Sequence, residues 1–122
     1  MKQAVLFISH GSRALETRQE VEVMVRRLKR KSGIAIFQEA YLEVHGPSIP
    51  EGIVNCIRKG ATRIVLLLNF LNAGRHILKD IPAIVAVAKK KYPEVKFIIT
   101  PHLSVNPELE TLFLKTINEA IP

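Results

Sequence analysis

The chain has 122 residues, 48% of them hydrophobic, so it is long enough for one packed core and too short for two. Its longest apolar runs, such as Ile64 to Leu68, fall far below the roughly 20 residues that cross a bilayer, and the N-terminus has no signal-peptide pattern; no membrane association and a cytoplasmic location are the expectation. A net charge of +7 favours an anionic partner, but aromatic residues make up only 6% and no nucleic-acid-binding motif is present, so no nucleic acid is expected.

The first element in chain order is an apolar strand, Ala4 to Ser9, which runs into His10, Gly11 and Ser12. Val5 to Ile8 is unbroken, as in a strand covered on both faces, and Ser12 and Thr17 offer side-chain oxygens to the helix that follows. Residues 14 to 31 form that helix, closed by a basic cluster, Arg26 to Lys31, which complements the macrodipole, and by Ser32-Gly33. Residues 34 to 42 read as a second strand, followed by the turn-rich Glu43, Val44, His45, Gly46 and Pro47. A second helix opens at Pro47 to Glu51 and ends at Gly60; Cys56 within it reads as a small buried hydrophobe.

Residues 62 to 69 form a third strand, and Phe70 to Pro82 then makes an irregular segment ahead of a third helix over 84 to 91. Residues 96 to 100 form a fourth strand, and Asn106-Pro107-Glu108 starts a last helix that runs to about Ala120. Four strands alternating with four helices predict an α/β, flavodoxin-like three-layer sandwich over 1–122: a single domain with a parallel sheet ordered 2-1-3-4. In that order the first and third strands are neighbours, and ligands bind where their carboxyl ends open a crevice. His10 closes the first strand and His76 lies beyond the third, so two residues 66 positions apart converge there.

Two imidazoles over a crevice suit a late first-row divalent ion, and so few protein ligands leave coordination positions open, as a transient metal requires. Imidazole also titrates near neutrality and can take protons from a substrate. Glu43, at the end of the neighbouring strand, is the natural third member, and His45 beside it is a candidate for substrate contact. Arg13 and Arg75 could meet an anion, whereas His102, farther along, reads as a surface histidine. A phosphate site is disfavoured: neither G-x-G-x-x-G nor G-x-x-x-x-G-K-[ST] occurs, and Ser9 stands where a histidine-nucleophile phosphatase has arginine.

The landmarks Leu6 to Arg13 (LFISHGSR), Tyr41-Leu-Glu43, Pro47-Ser-Ile49, Gly60-Ala61 and Phe70 to Pro82 (FLNAGRHILKDIP) resemble the small, single-domain CbiX-type sirohydrochlorin chelatases, the class II chelatases. The resemblance implies ATP-independent insertion of a divalent metal, cobalt first with nickel or iron as options, into sirohydrochlorin for cobalamin or a related tetrapyrrole, with no cofactor beyond the substrate metal. It implies His10 as proton acceptor and metal ligand and His76 as second ligand. Leu71, Asn72, Ala73, Gly74 and Arg75 would line the tetrapyrrole pocket, with Glu43 and His45 on the opposite wall. Longer relatives fuse two such halves, so a homodimer with the substrate between protomers is implied. The alternative is a metal or tetrapyrrole carrier that uses the same histidine pair without catalysis. Leu68 and Asn69 replace a proline that relatives have near the end of the third strand, and Asn106 replaces a histidine; neither change touches a proposed ligand.

Overall fold

The computed structural model describes residues 2–72 and 74–122; the side chains of Arg75 and His76 lie outside the described residues. Four strands, β1 (Gln3–Ser9), β2 (Ile36–Tyr41), β3 (Arg63–Leu68) and β4 (Lys96–Ile99), alternate with the helices α1 (Leu15–Ser32), α2 (Ile49–Arg58), α3 (Arg75–Lys91) and α4 (Glu108–Ala120). A short 3₁₀ turn, Leu103–Val105, precedes α4. The sheet is parallel throughout and ordered β2-β1-β3-β4, the order read from the alternation of elements.

β1 is buried on both faces because its side chains alternate between two apolar clusters. Ala4, Leu6 and Ile8 pack with Ile49, Ile53 and Cys56 of α2 and with Ile81 and Val85 of α3. Val5 and Phe7 point the other way, toward Val21 and Val25 of α1 and Phe37 and Tyr41 of β2. Each fully buried Leu or Ile contributes about 1.5–3 kcal/mol relative to exposure, so the first strand joins both halves of the core. α2 approaches closely at Gly52: an added Cβ would lie 2.7 Å from Leu6 Cδ1 and 3.0 Å from Ala40 Cβ. Burial also pushes the Cys56 thiol up to about 11, which leaves it a neutral core side chain.

Helix ends follow the chain's signals. Gly33 closes α1 with φ +72, donating to the Lys29 carbonyl. Ser48 caps α2: its hydroxyl accepts from the Glu51 amide, and the Glu51 carboxylate accepts from the Ser48 amide, a complete capping box. Those hydrogen bonds hold the Glu51 carboxyl below the usual glutamate range. Because the folded value is depressed, the contribution is present above the unfolded glutamate value and is lost as pH falls through the folded one. Ser48→Ala is expected to cost about 1 kcal/mol in urea unfolding at pH 7, with the difference from the parent shrinking at pH 3.

The start of one helix and the capping of another differ from the sequence reading. α3 begins at Arg75 rather than near Ile84, and takes Pro82 into its interior. Proline removes one N–H and crowds the preceding turn, but Pro82 lies on the solvent side while Ile81 and Val85 hold the inner face. Ser12, offered as a helix cap, instead accepts from the Ala14 amide at 3.1 Å, closing the turn that leads into α1. No described helix is long and apolar enough to cross a membrane.

Candidate functional site

The site is built where the sheet ladder continues past its strands. Beyond β1 and β2, Leu42 donates to the Ser9 carbonyl at 2.9 Å and Glu43 to the His10 carbonyl at 3.0 Å. Two more rungs of pairing therefore carry His10 and Glu43 side by side, 33 positions apart in the chain. Their side chains meet, His10 Nε2 lying 2.6 Å from Glu43 Oε1, a short contact. Both remain open to solvent, with 57% and 60% of the side-chain surface exposed.

Gly11 makes this approach possible. Its φ is +108, and a Cβ at this position would run into the Glu43 carbonyl. The facing loop is strained in turn, since Val44 adopts φ +77, a rare conformation for a β-branched residue. Such outliers persist only where surrounding contacts hold them, and here the tie is His45. Its Nε2 accepts from the Ser12 amide at 3.3 Å, its Nδ1 donates to the Gly46 carbonyl at 3.1 Å, and its ring lies 4.1 Å from that of Tyr41. With both ring nitrogens engaged by backbone, His45 braces the Glu43 loop against the turn after β1. Tyr41 is buried beneath it, and burial, followed by the nearby Glu39 and Glu22 carboxylates, raises the phenol.

An open cavity of about 700 Å³ lies against the His10–Glu43 pair. Leu42 and Gly74 line it beside them, and α3 contributes Ile77, Asp80 and Ile84. Ile77, Asp80 and Ile84 fall at i, i+3 and i+7 on one helical face, a spacing hidden when 70–82 is taken as irregular. Asp80 and Leu42 are thus lining residues that sequence reasoning passed over. On the other side of the pair, Ser9 is buried, and its hydroxyl accepts from Asn69 Nδ2 at 3.0 Å. Asn69, one of the departures from the family pattern, therefore locks the end of β3 to the end of β1.

The remaining predicted site residues sort as follows. Gly74 lines the cavity, while Leu71 and Asn72 are exposed on the segment after β3. Ala73 and the side chains of Arg75 and His76 lie outside the described residues; His76 enters through its backbone alone, in the first turn of α3. Arg13 is exposed, and His102 precedes the 3₁₀ turn. Among the described residues no group of three or more metal-ligating side chains converges. His10 and Glu43 are the one pair of potential ligand side chains among the predicted site residues that the described structure brings into contact.

A family model described as CbiX matches residues 4–120. The chain is 33% identical over 117 residues to the chloroplastic sirohydrochlorin ferrochelatase of Arabidopsis thaliana, covering 96% of this chain and 50% of that one. It is 27% identical to a sirohydrochlorin cobaltochelatase of Saccharolobus islandicus, covering 94% of this chain and 93% of that protein. Its fold matches the sirohydrochlorin chelatase SirB of Bacillus subtilis subspecies spizizenii, solved in complex with cobalt, with a TM-score of 0.86 and 28% identity over 98% of this chain and 51% of the other. The chain thus spans about half the length of the Arabidopsis and Bacillus relatives. With the order of the sheet and the spacing of the edge residues, the match over nearly all of its length shows that this chain belongs to the CbiX family.

Proposed function

We propose that this chain inserts a divalent metal, cobalt in the first instance, into sirohydrochlorin, working as a homodimer with the macrocycle between protomers. The observation that carries the reading is the His10 Nε2 to Glu43 Oε1 contact of 2.6 Å on the wall of an open cavity of about 700 Å³ at the carboxyl edge of the sheet. Membership of a family whose relatives are sirohydrochlorin ferrochelatases and cobaltochelatases supports it.

The chemistry asks little of the protein beyond geometry. Insertion replaces two ring N–H protons by one M²⁺, so the site must deliver a cation and remove two protons. His10 and Glu43 together offer one imidazole and one carboxylate donor, and imidazole suits cobalt, nickel and iron alike. His76 supplies the further ligand in this reading, and the coordination shell stays incomplete so that the ion can leave for the macrocycle. Once the ion has passed to the macrocycle, one ring N–H proton goes to the vacated His10 imidazole and the other to the Glu43 carboxylate, so the two protons lost balance the cation gained. A basic chain draws the carboxylate-rich substrate toward the site, an attraction that weakens as salt rises.

Incubation of the purified protein with sirohydrochlorin and Co²⁺, Ni²⁺ or Fe²⁺ in turn, followed by absorbance against a protein-free control, tests the reading. A rate gain with cobalt supports it, and binding with no gain marks a carrier instead. His76→Ala is expected to weaken capture of Co²⁺ and raise the metal concentration for half-maximal rate by about tenfold, in line with the usual cost of a removed metal-site group. An unchanged metal dependence would remove His76 from the site.

A further inference from the structure

A second, smaller cavity opens on the other side of His10. Its volume is about 200 Å³, and His10 belongs to its wall as well as to the wall of the large cavity. The large cavity carries two carboxylates, Glu43 and Asp80, whereas among the described residues none lines the small one. Its polar side chains are instead Arg18, Asn69, Ser9, Ser12, Thr17 and Tyr41.

These groups have hydrogens to give. Arg18 Nε is buried and has no hydrogen-bond partner among the described residues, a costly state for a donor that nothing accepts from. Ser9 Oγ accepts from Asn69 Nδ2 and Ser12 Oγ accepts from the Ala14 amide, so the proton of each hydroxyl stays available for donation. A guanidinium among hydroxyls, with no carboxylate beside it on the wall, selects an anion. The field of Arg18 also reaches Tyr41: burial first, then Glu39 and Glu22, raises that phenol, and Arg18 opposes them. Those two glutamates disfavour a dianion such as phosphate more than a singly charged carboxylate.

We propose that the small cavity is a subsite for one carboxylate of the macrocycle's rim, bound by the Arg18 guanidinium and the Ser9 and Thr17 hydroxyls. The assignment rests on the proposed function and gives its substrate an orientation. Because His10 is common to both cavities, a ring against the large one has its edge beside the small one. A volume of about 200 Å³ admits a carboxymethyl or carboxyethyl arm and excludes the ring itself. Seating one arm fixes the rotation of the macrocycle over His10, while Glu43 and Asp80 repel the remaining arms from the large cavity.

Titration of metal-free sirohydrochlorin into Arg18→Gln, followed by absorbance, should give a Kd about tenfold above the parent's, the usual loss for a hydrogen bond to a charged group. Arg27→Gln removes the same charge from an exposed position of α1 outside the small cavity and should keep the parent's Kd. With the fully methyl-esterified macrocycle in dilute detergent, parent and Arg18→Gln should bind alike. Equal Kd values for the free acid in parent and Arg18→Gln would overturn the subsite. So would an equal loss in Arg27→Gln, which marks net charge alone, or a loss in Arg18→Gln that the ester shows as well, which marks a change of shape. Millimolar acetate that raises the melting temperature of the parent but not of Arg18→Gln, with sirohydrochlorin binding the same in both, would make this a pocket for a free carboxylate and refute the assignment to the macrocycle. A parent that does not bind sirohydrochlorin at all would overturn the proposed function itself, whereas binding that ignores Arg18 overturns the subsite alone.

Discussion

His10→Ala should abolish metal insertion while leaving the fold intact. In the proposed function the imidazole is both the base and half of the close donor pair, and positioned general bases contribute about 10²–10⁴ in rate. Loss of a ligand adds to that, so the expected turnover with sirohydrochlorin and Co²⁺ lies at the protein-free background. More than half of the His10 side chain is exposed and its ring supports no core residue, so the unfolding free energy should change by no more than about 0.5 kcal/mol. Insertion rates read by absorbance, with urea unfolding on the same preparation, check both parts. A variant that retains most of its rate would refute His10 as the base; one that loses rate and stability together would mark it as a structural residue.

Gly11→Ala should damage stability and activity at once, for a reason distinct from chemistry. A side chain at φ +108 is strained by about 1–3 kcal/mol, and its Cβ would also collide with the Glu43 carbonyl, which is backbone and cannot swing away. To relieve the clash the Glu43 loop must move, breaking the hydrogen bond from the Glu43 amide to the His10 carbonyl and carrying the carboxylate away from the imidazole. A loss of about 2–4 kcal/mol is expected, together with a marked fall in turnover. Gly33→Ala is the comparison: Gly33 has φ +72 but open space around it, so it isolates backbone strain and should cost only about 1 kcal/mol with turnover unchanged. Equal effects at the two glycines would show that the collision with Glu43 is unimportant.

The brace around the site explains why these effects are separable. His45 was a candidate for substrate contact on its place in the loop, yet its two ring nitrogens are spent on the Ser12 amide and the Gly46 carbonyl. No motif announces such a role, because either tautomer of an imidazole in a loop can be written into many sequences. Ser9 and Asn69 belong to the same class: their hydrogen bond joins strands 60 positions apart, and neither residue type signals a partner at that distance.

Local chemistry settled much of this protein before any coordinates. The unbroken apolar run of the first strand meant burial on both faces, glycines and prolines marked helix ends, and the alternation of elements with right-handed crossovers left little choice but the order 2-1-3-4, which in turn put His10 at the carboxyl edge of the sheet. Those inferences rest on interactions between residues close in sequence or on rules of chain connectivity. The start of α3 at Arg75, the 2.6 Å contact of His10 with Glu43, and the cavity faces of Ile77 and Asp80 were decided by packing and by ladder pairing between distant segments. The same holds for α4. Its span is plain in the sequence, but only the tertiary structure shows that the described fold buries none of its residues.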